Sequence, residues 1–414
     1  MAPGVTWDLE PGMPRSQNDV LGRLVPQAVQ YHRQSFGDGA GAIPMRVARL
    51  KAQIGRLAIT GRFHLDAAGH TLGRPVLHIL WKRHRAGTKP GRREADDTAR
   101  VALLVQDGGM RGVISAAMMC ALDDLGFKDT FDDVYAHSAG AMNAAYFLAG
   151  STWFPLSIYY DDLATKEFVD FTRPFFGEPI MSLDFAFDEV VKHRKPLDLQ
   201  AITSGRTHLH IPLTILSPPS CEIVSAFNSP DDLQQTLRAT CWLPIATNGA
   251  ARWRGLQALD GGVLMPDLEV AARRGGATHV LSIQTRARAR RPLFGRLADW
   301  YVRRRLDQLD LGLGQAYERA LVEARQPPPS NRWGWVDKYL AVKPLPTGDV
   351  SRQEIRPHRL LSAARSAYGV MYALLSDRSA QEVSEDTIQV IPRLTIVHQS
   401  ARAERPAADN ESRP

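Results

Sequence analysis

The chain has 414 residues, 44% of them hydrophobic, and its 51 basic against 44 acidic side chains give a formal net charge of +7. That is the composition of a globular protein with a sizeable core, and no apolar stretch reaches the roughly 18 residues that a membrane span needs. Cys120, Cys221 and Cys241 cannot all pair and lack metal-ligand spacing, and the first 18 residues lack the hydrophobic segment of a secretory signal, so the expectation is a reduced, cytoplasmic protein.

Residues 1–97 read as an extension of unknown role: a polar start, helical pieces at 20–33 and 45–57, a β-prone run at 76–81, and a basic linker through Arg93. From 98 to 286 strand and helix signals alternate, which predicts an α/β fold with a mainly parallel sheet covered on both faces. Strands are expected at 101–105, 133–136, 211–216, 223–227 and 279–284. Helices are expected at 112–125, at 139–149, in a segment capped by Ser229 with Pro230 at its first position, and at 267–274. Residues 287–400 read as a C-terminal helical region packed on this core, and 401–414 as a disordered tail.

Within that region, Val302, Leu306, Leu309, Leu313, Ala316, Tyr317 and Ala320 make one apolar stripe over 294–325. Asp299, Asp307 and Asp310 punctuate its polar face, which favours a helix docked on the core over one lying on a membrane. A proline-rich break follows at 326–330, then a helix at 357–375. Basic residues cluster at 82–85, at 92–93, between 286 and 291, and at 303–305. Such clusters read first as a solvated face; they also suit peripheral contact with an anionic inner membrane surface, at about 1 kcal/mol per residue, or non-specific nucleic-acid contact.

The chemistry concentrates in three short segments. Asp107, Gly108, Gly109, Met110, Arg111 and Gly112 follow one apolar run, and Ala136, His137, Ser138, Ala139 and Gly140 follow another; each leads into a helical pattern. A serine on such a strand-to-helix turn has its hydroxyl lifted clear of the sheet, with the helix aiming N–H groups and a partial positive charge at the same place. Glycines in the first loop let backbone donors come close to an anion. Asp260, followed by Gly261 and Gly262, supplies a carboxylate that can take the serine's proton. Nucleophile, base and anion cradle are the parts an acyl-transfer enzyme needs.

With these three segments the chain resembles the patatin-like phospholipases, most closely the bacterial branch, over about residues 99–285. The resemblance also takes in Asn143, Ala144 and Ala145, then Leu183, Asp184 and Phe185, then Arg238, Ala239 and Thr240 before Pro244. It implies a three-layer sandwich and a lipid acyl hydrolase with Ser138 as nucleophile and Asp260 as its base. It further implies an oxyanion loop over Gly108, Gly109, Met110, Arg111 and Gly112, in which Arg111 helps hold the loop. Neither metal nor cofactor is implied, and the expected partner is a lipid acyl ester. Asp107 and Ala136 depart from the family pattern, each standing where a glycine is usual. Either departure could slow the reaction, since loss of one oxyanion donor alone costs roughly 10²- to 10³-fold.

His137 precedes the elbow serine and reads as strand filler pointing away from it. Two rivals accompany the main reading: an α/β-hydrolase with a Ser138, Asp260, His279 triad, and a catalytically silent lipid-binding protein of the same shape.

Overall fold

The computed structural model describes residues 47–49, 74–106, 108–244, 246–286, 295–324, 338–344, 348–375 and 390–392. The helical piece expected at 20–33, the break at 326–330, the tail 401–414 and Asp107 lie outside the described residues.

In chain order the strands are β1 (Val47–Arg49), β2 (Val101–Val105), β3 (Asp133–Ala136), β4 (His208–Ile215), β5 (Ser220–Val224), β6 (Ala251–Trp253), β7 (Leu256–Asp260), β8 (His279–Ile283), β9 (Tyr339–Val342) and β10 (Val390–Pro392). Strands β1 and β10 pair with each other; the rest form one eight-stranded sheet in the order β6-β7-β4-β3-β2-β8-β9, with β5 also on β4. The run β4-β3-β2-β8-β9 is parallel throughout, and β5, β6 and β7 add an antiparallel flank.

Strand β2 is buried along its whole length, and its alternation shows why. Val101, Leu103 and Val105 enter the main core, while Ala102 and Leu104 enter a second cluster on the other side. The first face carries α2 (Gly112–Asp124), α3 (Ala139–Ala149) and α10 (Pro357–Leu375). The other carries α7 (Leu268–Arg274), which brings Leu268, Ala271 and Ala272 onto Ala102 and Leu104. A sheet apolar on both faces needs two helical layers, and the expected mainly parallel α/β sandwich is what forms, made mixed by its antiparallel flank. Helix α10 lies along α2, and the Tyr368 hydroxyl donates to Asp124 Oδ2 at 2.9 Å.

Several local expectations are corrected. Residues 76–81 belong to α1 (Arg74–Ala86), not to a strand. Val76, Ile79, Leu80 and Arg83 recur at helical spacing and are all buried. Arg83 donates to Asp97 and Asp132, and Arg93 also reaches Asp132, so these two arginines are held by carboxylates rather than offered to solvent. Within the segment read as helical at 45–57, Val47–Arg49 is a strand. The stripe over 294–325 is carried by two helices, α8 (Gly295–Leu309) and α9 (Leu313–Ala324), because Gly312 turns left-handed at φ 89° between them. Leu306 and Leu313 still meet Leu216, Leu259 and Val263 on the core. Strands β6 and β9 and the helix Trp153–Asp161, α4, have no counterpart in the sequence reading.

Candidate active site

Strand β4 is the spine of the site. One edge pairs with β5 over residues 211–215, and Ser225, just past β5, meets His210 at 2.6 Å. The opposite edge is therefore shared by two strands: β3 pairs with residues 208–210 in parallel, and β7 with residues 213–215 in antiparallel. Running in opposite directions along one edge, β3 and β7 aim their C-terminal ends at each other across Ile211 and Pro212. Ser138 lies two residues past the end of β3, and Asp260 is the last residue of β7.

The elbow is strained where the chain leaves β3. Ser138 has φ 54° and ψ −140°, a backbone state that costs a non-glycine residue on the order of 1–3 kcal/mol and persists only where its surroundings impose it. They do: its N–H donates to Thr240 Oγ1 at 3.1 Å, and that hydroxyl donates to the Pro212 carbonyl at 3.2 Å. Ser138 is 4% exposed and caps α3, so the helix start faces it. Ala139 opens that helix. Gly140 has to be glycine, since a Cβ there would stand 2.5 Å from the Val105 carbonyl oxygen. Ala136 is buried in the main core and registered with Val105, so its methyl has a place there.

Asp260 is 1% exposed. Its Oδ1 accepts from the Gly262 N–H at 2.8 Å, and its carbonyl accepts from Thr214 Oγ1 at 2.9 Å. Gly261 lies so close to β4 that a Cβ would fall 2.1 Å from the Pro212 oxygen. His137 follows the end of β3, and its Nδ1 is 3.9 Å from Asp260 Oδ1, with both side chains buried. The carboxylate thus stands against the residue next to Ser138.

The glycine loop approaches from β2. Gly109 adopts φ 53°, and a Cβ there would lie 2.9 Å from the carbonyl oxygen of Arg352. That oxygen accepts the Met110 N–H at 3.0 Å, so a C-terminal strap covers the loop. Arg111 is buried, and its N–H donates to the Gly108 carbonyl at 3.0 Å. Gly112 is bound to the elbow helix: Asn143 Nδ2 donates to its carbonyl at 2.8 Å and to Ser115 Oγ at 2.9 Å, while the Tyr159 hydroxyl donates to Asn143 Oδ1 at 3.1 Å.

An apolar cavity opens beside Ser138 between Gly109, Met110, Met142, Ile158, Phe168, Met181, Leu183, Phe187 and Leu243. Cys241 also lines it, and burial together with the Asp260 charge pushes its thiol well above the usual range. His279 lies elsewhere. It starts β8 in register with Val101, at the far end of the sheet, roughly 13 Å of strand from the elbow side at about 3.3 Å per residue. Among the described residues no group of three or more His, Cys, Asp or Glu is placed to hold a metal ion, and no helix is long and apolar enough to cross a membrane.

Tyr159 and Arg352 are site-forming residues that no sequence pattern singled out, whereas Thr240 and Asn143 fall in strings shared with the resembled family.

The sequence model of the Patatin family, described as patatin-like phospholipase, matches residues 105–271. No curated protein matches the chain. Among solved structures, the crystal structure of VipD from Legionella pneumophila aligns at 14% identity and a TM-score of 0.39, covering 67% of this chain and 66% of that one.

Proposed function

Residues 105–271 are a patatin-like phospholipase domain, and from that premise we propose that the protein is a serine lipid acyl hydrolase of the phospholipase or lysophospholipase type working through a Ser138–Asp260 dyad. Asp260 accepts the Ser138 proton as Oγ bonds to the ester carbonyl carbon. The N–H groups of Gly108 and Gly109 hold the resulting oxyanion, Met110's being engaged by Arg352. The C–O bond then breaks, and the leaving alkoxide takes the proton from Asp260. A water molecule, deprotonated by the same carboxylate, attacks the acyl-serine; the acyl C–Oγ bond breaks, the fatty acid leaves, and Asp260 returns the proton to Ser138 Oγ.

One observation carries the reading: β3 and β7 converge end to end on β4, so that a buried carboxylate stands 3.9 Å from the residue adjoining an elbow serine. The cavity beside Ser138 supports a lipid substrate, since its apolar wall suits an acyl chain. The position of His279 at the opposite end of the sheet weighs against a Ser-His-Asp triad.

Ser138→Ala and Asp260→Asn are each expected to abolish release of p-nitrophenol from a medium-chain ester, and a fluorophosphonate probe should label Ser138. Retained turnover in either variant overturns the dyad.

A further inference from the structure

We propose that the turn at residues 171–178 is a docking surface for an uncharged or zwitterionic lipid bilayer, holding the Ser138 cavity at the membrane. The purpose of the docking rests on the hydrolase reading above; the docking itself does not.

The turn is a fixed excursion from the cavity wall. Its stems, Phe168 and Met181, line the cavity that contains Ser138. They are clamped by an antiparallel bridge between Val169 and Met181 and by bonds from Ser182 N to the Phe168 carbonyl and from Met181 N to the Ala246 carbonyl, both 2.9 Å. The tip is a short 3₁₀ turn, Arg173–Phe176, closed by Gly177 at φ 78° and pinned by Asn248 Nδ2 donating to the Gly177 carbonyl at 3.1 Å. A tip this well tied loses little conformational entropy on docking.

What it presents is apolar. Phe175 and Phe176 are 87% and 81% exposed and Phe171 is 48% exposed, whereas Phe127, Phe131 and Phe147 are fully buried. Three phenylalanines gathered on one tip are a costly surface in water and mark a contact site. Arg173 does not soften it, because its guanidinium folds back onto the carbonyls of Lys166 and Glu167 at 2.9 Å.

The surrounding charge selects the partner. Glu167, Asp170 and Glu178 flank the tip, against Lys166, the inward-turned Arg173 and Arg194, which lies 4.0 Å from Glu167, so the rim carries no net positive charge. A strongly anionic lipid surface or a nucleic acid gains nothing there, while rings entering an interface of no net charge gain their full apolar transfer. A bilayer is also the partner that the cavity explains, because the hairpin bearing the rings contributes Phe168 and Met181 to the wall of the apolar cleft beside Ser138.

The test uses the full chain and vesicles of phosphatidylcholine alone. Wild type and Ser138→Ala are expected to co-sediment equally, with binding unchanged between low and high salt. The double variant Phe175→Ser, Phe176→Ser is expected to bind on the order of 100-fold more weakly, from about tenfold per ring, and to keep turnover of a soluble short-chain p-nitrophenyl ester. Phe175→Trp should show a blue-shifted, enhanced emission on vesicle addition. Vesicle binding that survives the double substitution, a wild type that does not bind, or a wild-type dimer that the double variant converts to monomer would each overturn the proposal, the last by assigning the tip to a second copy of this chain. Ring-dependent binding without ester turnover would leave the docking surface standing and remove the hydrolase reading.

Discussion

Replacing Gly261 by alanine tests whether the meeting of β7 with β4 positions the reacting carboxylate. The new Cβ would lie 2.1 Å from the Pro212 oxygen and 2.5 Å from its carbonyl carbon, whereas ordinary contact begins at 3.4 Å, so a gap of 1.3 Å must open (3.4 − 2.1). Pro212 cannot easily retreat, because Thr240 Oγ1 holds its carbonyl and β5 closes the other edge of β4. The displacement therefore falls on Gly261 and on Asp260 before it. Overpacking of this kind costs about 1–3 kcal/mol, and each kcal/mol lowers Tm by about 2–4 °C in a domain of this size. A shift of about 1 Å at a reacting group costs on the order of 10²-fold in rate. The expectation is a folded variant with a Tm lower by several degrees and kcat/KM for a p-nitrophenyl ester down about 100-fold. Gly262→Ala is the graded control, since its Cβ would meet only side-chain atoms, Asp260 Oδ1 at 3.1 Å and His137 Cε1 at 3.2 Å; it should lose less. A Gly261→Ala protein with unchanged kcat/KM would show that the place of Asp260 does not matter to the reaction.

Asp133, at the far end of the sheet, contributes to acid stability. Burial opposes its charge, but hydrogen bonds from Arg100 and His210 outweigh that and hold its carboxyl down to about 2, against an ordinary 3.8. A depressed carboxyl contributes stability that is full above pH 4 and is lost as pH falls toward 2. Asp133→Asn should be less stable at neutral pH by about 2 kcal/mol, the worth of charge-assisted hydrogen bonds, since the Arg100 left behind is 45% exposed, and urea titrations should show a shallower loss than wild type between pH 4 and 2; parallel curves would refute the assignment. Asn143→Ala removes the link between the glycine loop and the elbow helix and strands the buried Tyr159 hydroxyl, at about 1–3 kcal/mol for an unsatisfied group, while the Gly112 carbonyl keeps the bond from Ser115 Oγ at 3.0 Å. Thermal melts and ester kinetics should show lower Tm and kcat with KM little changed, and a smaller effect for Ser115→Ala, which loses bonds at 2.9 and 3.0 Å but leaves those from Asn143 to the Gly112 carbonyl and from Tyr159 to Asn143 in place.

What the sequence shows of this site is what lies close to a strand end. Ser138 and Gly109 declare themselves because the strand, the turn and the helix that present them are contiguous. The encounter with Asp260 is not local: it requires one strand to carry β3 and β7 on the same edge and β5 on the other, and nothing in residues 208–215 announces three neighbours. The nearness of His137 to Asp260 is equally non-local, since what that side chain meets is decided by where β7 ends. The run 76–81 shows the complementary failure. Five apolar positions around an exposed His78 carry no decisive period, and the residue that completes the helical face is Arg83, whose charge reads as surface until Asp97 and Asp132 are found beside it. Arg352 is the limiting case. It acts through a backbone carbonyl that any residue could supply, so no side-chain pattern can mark it. The only written trace of that contact is on its partner, Gly109, whose left-handed backbone and missing Cβ leave room for an oxygen contributed 243 positions later (352 − 109).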